Sequence, residues 1–148
     1  AKTLKWLIEE CVPYIDRTFG AKDREHWLMG YSLAGLFALW TAYENDAFSG
    51  IICCSGSLWF PEWDHYMREH MLRSKCSVYL SLGGKEEKTR NKIMAAVGDR
   101  TRAQEERLEE DSMVESVVLE WNAGGHFADA GKRLAKGVRW MFGAKNGL

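Results

Sequence analysis

The sequence predicts an α/β protein with an open, mainly parallel sheet and helices on both faces. Three observations predict it. Four short apolar runs are spaced along the chain, each of strand length. Longer segments with apolar residues at helical spacing alternate with them. Glycine ends three of the four runs, at Gly30, Gly83-Gly84 and Gly124-Gly125, as expected where strands turn out of a sheet. Strands alternating with helices imply parallel pairing with both faces covered.

The elements follow in order. Leu4, Leu7, Ile8, Cys11, Val12 and Ile15 put an amphipathic helix over 4–19, with Pro13 as a kink or joint. Gly20 to Glu25 is a polar connection. His26 to Met29 reads as a buried strand stopping at Gly30. Residues 33–43 read as a helix through Leu33, Leu36, Phe37, Leu39, Trp40 and Tyr43. Gly50 to Cys54 is a second strand, Ser55 to Pro61 a loop, and Glu62 to Arg73 a helix. Ser77 to Leu82 is the third strand. Asn91 to Glu110 is one long helix, ending in the acidic run Glu105 to Asp111, read as a solvated helix end. Val114 to Trp121 is the fourth strand, and Arg133 to Phe142 the closing helix. No linker or repeat interrupts the chain, so residues 1–148 read as a single domain.

Composition narrows the function classes. A net charge of −1 leaves no basic surplus for nucleic acid or an anionic membrane. No apolar run approaches a membrane span, and Ala1-Lys2-Thr3-Leu4 does not read as a secretory signal. The start without Met is not read as the natural one. Cys11, Cys53, Cys54 and Cys76 sit in apolar surroundings with no C-x-x-C spacing, so they read as buried free thiols. That favours a reducing compartment, the cytoplasm.

The chemistry concentrates at Gly30-Tyr31-Ser32-Leu33-Ala34-Gly35. A nucleophilic serine needs an exposed oxygen, a base and N–H donors for an oxyanion. A sharp strand-to-helix turn lifts the serine out of the sheet and aims a helix N-terminus at the developing charge. Small residues must flank the serine where strand and helix approach. Gly30 and Gly35 satisfy this, and Ala34 stands where the common G-x-S-x-G pattern has Gly. A Gly-Ser turn alone carries no chemistry; the strand before it and the helix after it select the catalytic reading of Ser32.

Four histidines compete for the base. His26 opens a strand and reads as structural, and His65 and His70 are spaced wrongly for one helical face or a metal site. His126 follows the fourth strand behind two glycines, where open α/β sheets place their sites. The acid is expected between serine and histidine, after a strand. Glu86 in Gly83-Gly84-Lys85-Glu86-Glu87 fits best, with Glu87 as its alternative. Asp99 lies within the long helix and Asp129 beyond the histidine, so neither fits.

These segments resemble the α/β-hydrolase esterases that include esterase D-like and enterochelin (siderophore) esterase-like enzymes. The run 30–39 resembles their nucleophile turn, 54–60 the segment after the next strand, 82–91 the acid loop and 124–126 the histidine loop. The resemblance implies an α/β-hydrolase-type fold and hydrolysis of a small-molecule ester without metal or organic cofactor. Ser32 would attack, His126 would relay the proton, Glu86 would hold His126 and the Leu33 N–H would supply one oxyanion donor. By position, Tyr31, Ser57 and Trp59 would contact substrate. The usual strands upstream of the nucleophile are missing, so the chain resembles the C-terminal half of such a domain. It is then a fragment, a chain completed by another chain, or a reduced member. An uncovered sheet edge would follow, with a homo-oligomer contact on it. A weakly active or inactive assembly module and an acyltransferase are the competing functions.

Overall fold

The computed structural model describes residues 2–147. Four strands, β1 (Trp27–Tyr31), β2 (Gly50–Cys54), β3 (Cys76–Gly83) and β4 (Val114–Asn122), form one sheet. Their order is β1-β2-β3-β4 and every pairing is parallel. Parallel crossovers take one hand, so a monotonic strand order sends the connecting helices to one face. These are α3 (Leu33–Glu44), α4 (Trp63–Glu69), α5 (Lys92–Ala95) and α6 (Val97–Glu109). The other face is covered by α7 (Ala130–Lys145), which packs on β1, β2 and β3.

Side chains alternate across the central strands, giving two cores. Ile51 and Cys53 of β2 join the α3 side with Leu39, Val78 and Leu108. Ile52 and Cys54 point the other way, to Tyr79 and Met141. Strands β2 and β3 are buried along their whole length, whereas β1 and β4 are edges. In β1, Met29 is 51% exposed.

Several elements differ from expectation, each for a local reason. The first helix is α1 (Lys2–Trp6), a π-helical turn (Leu7–Cys11) and α2 (Val12–Phe19). The wide turn lies directly before Pro13, which cannot donate to the preceding turn and whose ring crowds it. Strand β1 runs through Gly30 to Tyr31 because Gly30 pairs with Cys53 and Tyr31 with Cys54. Helix α4 stops at Glu69, with His70 in extended conformation. The expected 91–110 helix is divided at Ala96 into α5 and α6; Asn91 caps α5 by accepting from the Ile93 and Met94 N–H groups.

The acidic run is not simply solvated. Asp111 is buried and its carboxylate accepts from the Leu72 N–H and the Met113 N–H, each at 2.9 Å. Glu105 accepts from the Leu119 N–H at 3.0 Å, tying α6 to the edge strand β4. Replacing Asp111 by alanine strands one buried and one half-buried donor, so Asp111→Ala should cost about 2 kcal/mol of stability in a urea titration. Asp111→Asn, which keeps one acceptor oxygen, should cost less.

Candidate active site

The close approach of β1 and α3 shapes the site. Ser32 joins them with φ 60° and ψ −124°, a left-handed backbone that non-glycine residues rarely adopt. Its backbone is held at every polar atom. The N–H donates to the Cys54 carbonyl at 3.0 Å, and its carbonyl accepts from Leu36 and Ser57 N–H groups, each at 3.1 Å. A side chain on Gly30 would run into the Ala34 carbonyl, and one on Gly35 would press on the Gly30 and Cys54 carbonyls. Ala34 lies inside α3 with ordinary helical backbone, so the position does not demand glycine.

A serine at a helix N-cap normally bonds its own helix through Oγ. Ser32 does not. Its Oγ lies 3.0 Å from His126 Nε2, and His126 Nδ1 lies 2.8 Å from Glu86 Oε2. The Glu86 carboxylate can only accept, which places the imidazole proton on Nδ1 and leaves Nε2 to accept from Ser32. Leu33 is the first residue of α3, so its N–H has no partner within the helix and points from the helix N-terminus.

Glu86 opens a short 3₁₀ turn, Glu86–Lys88, and is buried. Its other oxygen, Oε1, accepts from Ser55 Oγ–H at 2.6 Å, the Gly83 N–H at 2.8 Å and Arg133 Nη1 at 3.1 Å. Glu87 faces elsewhere. Both of its oxygens take Arg102, whose guanidinium holds the Glu87 carboxyl below its ordinary value. Asp99 also pairs with Arg102, and Asp129 with Lys132. The acid and histidine loops are laced together: Gly84 and Lys85 N–H groups donate to the Asn122 and Gly124 carbonyls. A side chain on Gly83 would meet the Gly124 carbonyl and the Arg133 guanidinium, so the loops close only with glycine there.

Other expected residues divide. Ser57 and Trp59 line a cavity of about 350 Å³ together with Ser32, Leu33, His126 and Met94. Ser57 Oγ stands 3.4 Å from Ser32 Oγ. Tyr31 does not face that cavity. Its hydroxyl donates to the His126 carbonyl and accepts from Arg133 Nη1 at 3.1 Å, so it braces the histidine loop. His26 pairs with Asp16 at 2.8 Å, and His70 Nδ1 bonds the Tyr66 carbonyl.

Arg133 and Ser55 were not anticipated from the sequence. Arg133 is 1% exposed, the largest fully buried side chain, and its partners come from all four strand ends. The available signal was its phase in α7. The buried residues of that helix are Arg133, Gly137 and Met141, four apart on one face, which places a cation on the apolar stripe.

Four parallel strands with the serine turn above β1 and the histidine beyond β4 define an α/β-hydrolase-type fold. The family model described as "Putative esterase" matches residues 1–141, and the chain belongs to that family. Solved structures agree on the fold. The siderophore hydrolase EstB from Aspergillus nidulans superposes with a TM-score of 0.79 at 18% identity, over 94% of this chain and 57% of that one. Siderophore hydrolase EstA from the same organism gives 0.73 at 17%, over 95% and 55%. An IroE-like serine hydrolase from Shewanella oneidensis gives 0.74 at 17%, over 93% and 46%. The chain thus spans about half the length of each. No curated protein matches it.

Two of the four thiols, Cys53 and Cys54, end β2 directly below the serine turn. Burial pushes Cys53 and Cys54 above the ordinary thiol value and Cys76 up to about 12, whereas Cys11 is half-buried. Reaction with iodoacetamide requires thiolate. The native protein should therefore be alkylated at Cys11 alone, with the other three reacting only in denaturant, as read by peptide mass spectrometry.

Proposed function

We propose that the chain is a serine esterase acting through an acyl-enzyme on Ser32. The observation carrying this is the hydrogen-bonded chain Ser32–His126–Glu86 at the mouth of the cavity. Ser32 Oγ attacks the ester carbonyl carbon while its proton passes to His126 Nε2. The carbonyl oxygen becomes an oxyanion beside the Leu33 N–H and the N-terminus of α3. The intermediate collapses, the C–O bond to the alcohol breaks, and His126 Nε2–H protonates that alcohol. Water then attacks the acyl-serine with His126 again as base, releasing the carboxylic acid. Glu86 keeps the proton on Nδ1 and stabilises the imidazolium. Ser57 and Trp59 form part of the wall against which the substrate rests. None of these steps calls for a metal or organic cofactor.

The membership of the esterase family and the fold of the solved hydrolases support a small-molecule ester as substrate. The free thiols fit a reducing, cytoplasmic setting. Among the described residues no helix is long and apolar enough to cross a membrane.

A fluorophosphonate probe should label Ser32 in the folded protein, and Ser32→Ala should abolish both labelling and hydrolysis of p-nitrophenyl acetate. Glu86→Gln should lower kcat by roughly 10³–10⁴-fold, while Glu87→Gln should stay within about twofold. An unlabelled Ser32 in folded protein overturns the esterase reading.

We also propose a homo-oligomer through the β1 edge. Among the described residues β1 pairs only with β2, leaving a row of backbone groups beside the half-exposed Met29. Small-angle scattering should give a dimer mass; a monodisperse monomer of 16.9 kDa refutes it.

A further inference from the structure

Among the described residues Arg133 is the one buried cation beside the site, and the proton path above does not use it. Its Nη1 donates to Glu86 Oε1 at 3.1 Å, to Ser55 Oγ at 2.9 Å and to the Tyr31 hydroxyl at 3.1 Å. Its Nη2 donates to the carbonyls of Ala123 at 3.1 Å and Gly125 at 2.9 Å. Gly125 directly precedes His126, and the Tyr31 hydroxyl donates to the carbonyl of His126 itself. One guanidinium therefore fixes the carboxylate that receives the His126 Nδ1 proton and the backbone that carries the imidazole. Side chains of Arg133 and Glu86 are 1% and 5% exposed, so solvent does little to screen the pair.

We propose that Arg133 is a positioning residue for the Ser32–His126–Glu86 chain, setting the distance and angle between Glu86 and His126 through its planar fork. A purely structural staple would hold the loops together without regard to that geometry. A positioning group acts on the reacting array, so its loss falls on turnover more than on substrate binding. Lysine is the informative replacement. It keeps the charge but presents a single ammonium, which cannot span Glu86 Oε1 and two loop carbonyls together.

The proposal rests on the esterase reading, and the test separates the two. Near-ultraviolet circular dichroism first establishes which of wild type, Arg133→Lys and Tyr31→Phe are folded. Fluorophosphonate labelling and p-nitrophenyl acetate hydrolysis of wild type test the esterase reading alone. Arg133→Lys should then lower kcat about tenfold or more, with KM within about twofold. A kcat within twofold of wild type, or one that falls only in step with the folded fraction, overturns the proposal. Tyr31→Phe perturbs packing least and serves if Arg133→Lys does not fold. It should lower kcat about threefold at unchanged KM, and an unchanged kcat overturns the proposal. A readout independent of turnover is the His126 Nδ1 proton in nitrogen-15-labelled protein. Wild type should show it downfield and protected from exchange, and the folded variant tested should show it shifted or exchange-broadened. Its absence from wild type, or its persistence unchanged in that variant, overturns the proposal even in a protein that hydrolyses nothing.

Discussion

The buried charge of Glu86 is the constraint around which the strand ends are arranged. A carboxylate out of water is costly unless donors surround it. Here each oxygen is satisfied, Oε2 by His126 and Oε1 by Ser55, Gly83 and Arg133. Meeting that requirement draws together the ends of all four strands. Ser55 follows β2, Gly83 ends β3, His126 follows β4, and Arg133 brings in Tyr31 at the end of β1. The guanidinium in turn needs acceptors, and the Ala123 and Gly125 carbonyls supply them. Neither charge is tolerable in this place without the other.

The backbone at Ser32 imposes a second condition, met from below. A left-handed serine costs of order 1–3 kcal/mol and persists only where its surroundings determine it. The Cys54 carbonyl and the Leu36 and Ser57 N–H groups do so. Strand β2 ends in two cysteines, and the Cys53 sulfur lies in the space where side chains on Gly35 or Gly56 would need to go. The compact thiols are thus part of what lets strand, turn and helix come so close.

Much of this was legible in the sequence, for identifiable reasons. Strands β2 and β3 are buried throughout, so their apolar runs announced them. The glycine spacing around Ser32 and Gly124 before His126 mark backbone that few residues permit. The order of loops after strands pointed to Glu86 with Glu87 as its alternative, and only the structure shows Glu86 on His126 and Glu87 on Arg102. What was hidden depends on distant partners. Asp111 sits in an acidic run, and only the positions of Leu72 and Met113 reveal it as an acceptor. Arg133 resembles any helical cation until the four strand ends that receive it are known. Tyr31 was assigned by neighbourhood to the substrate, but its hydroxyl is claimed by the histidine loop.

The lengths of chain between these partners order events in time. His126 lies 94 residues beyond Ser32, and Arg133 lies 102 beyond Tyr31. On a ribosome the serine turn emerges before the loop and helix that complete its surroundings. Until α7 lies across the sheet, one apolar face is bare and Glu86 has no countercharge. Closing such long loops is slow compared with local helix formation. The serine turn is therefore made well before its partners, and the Ser32–His126–Glu86 contacts form only once the chain through α7 is available.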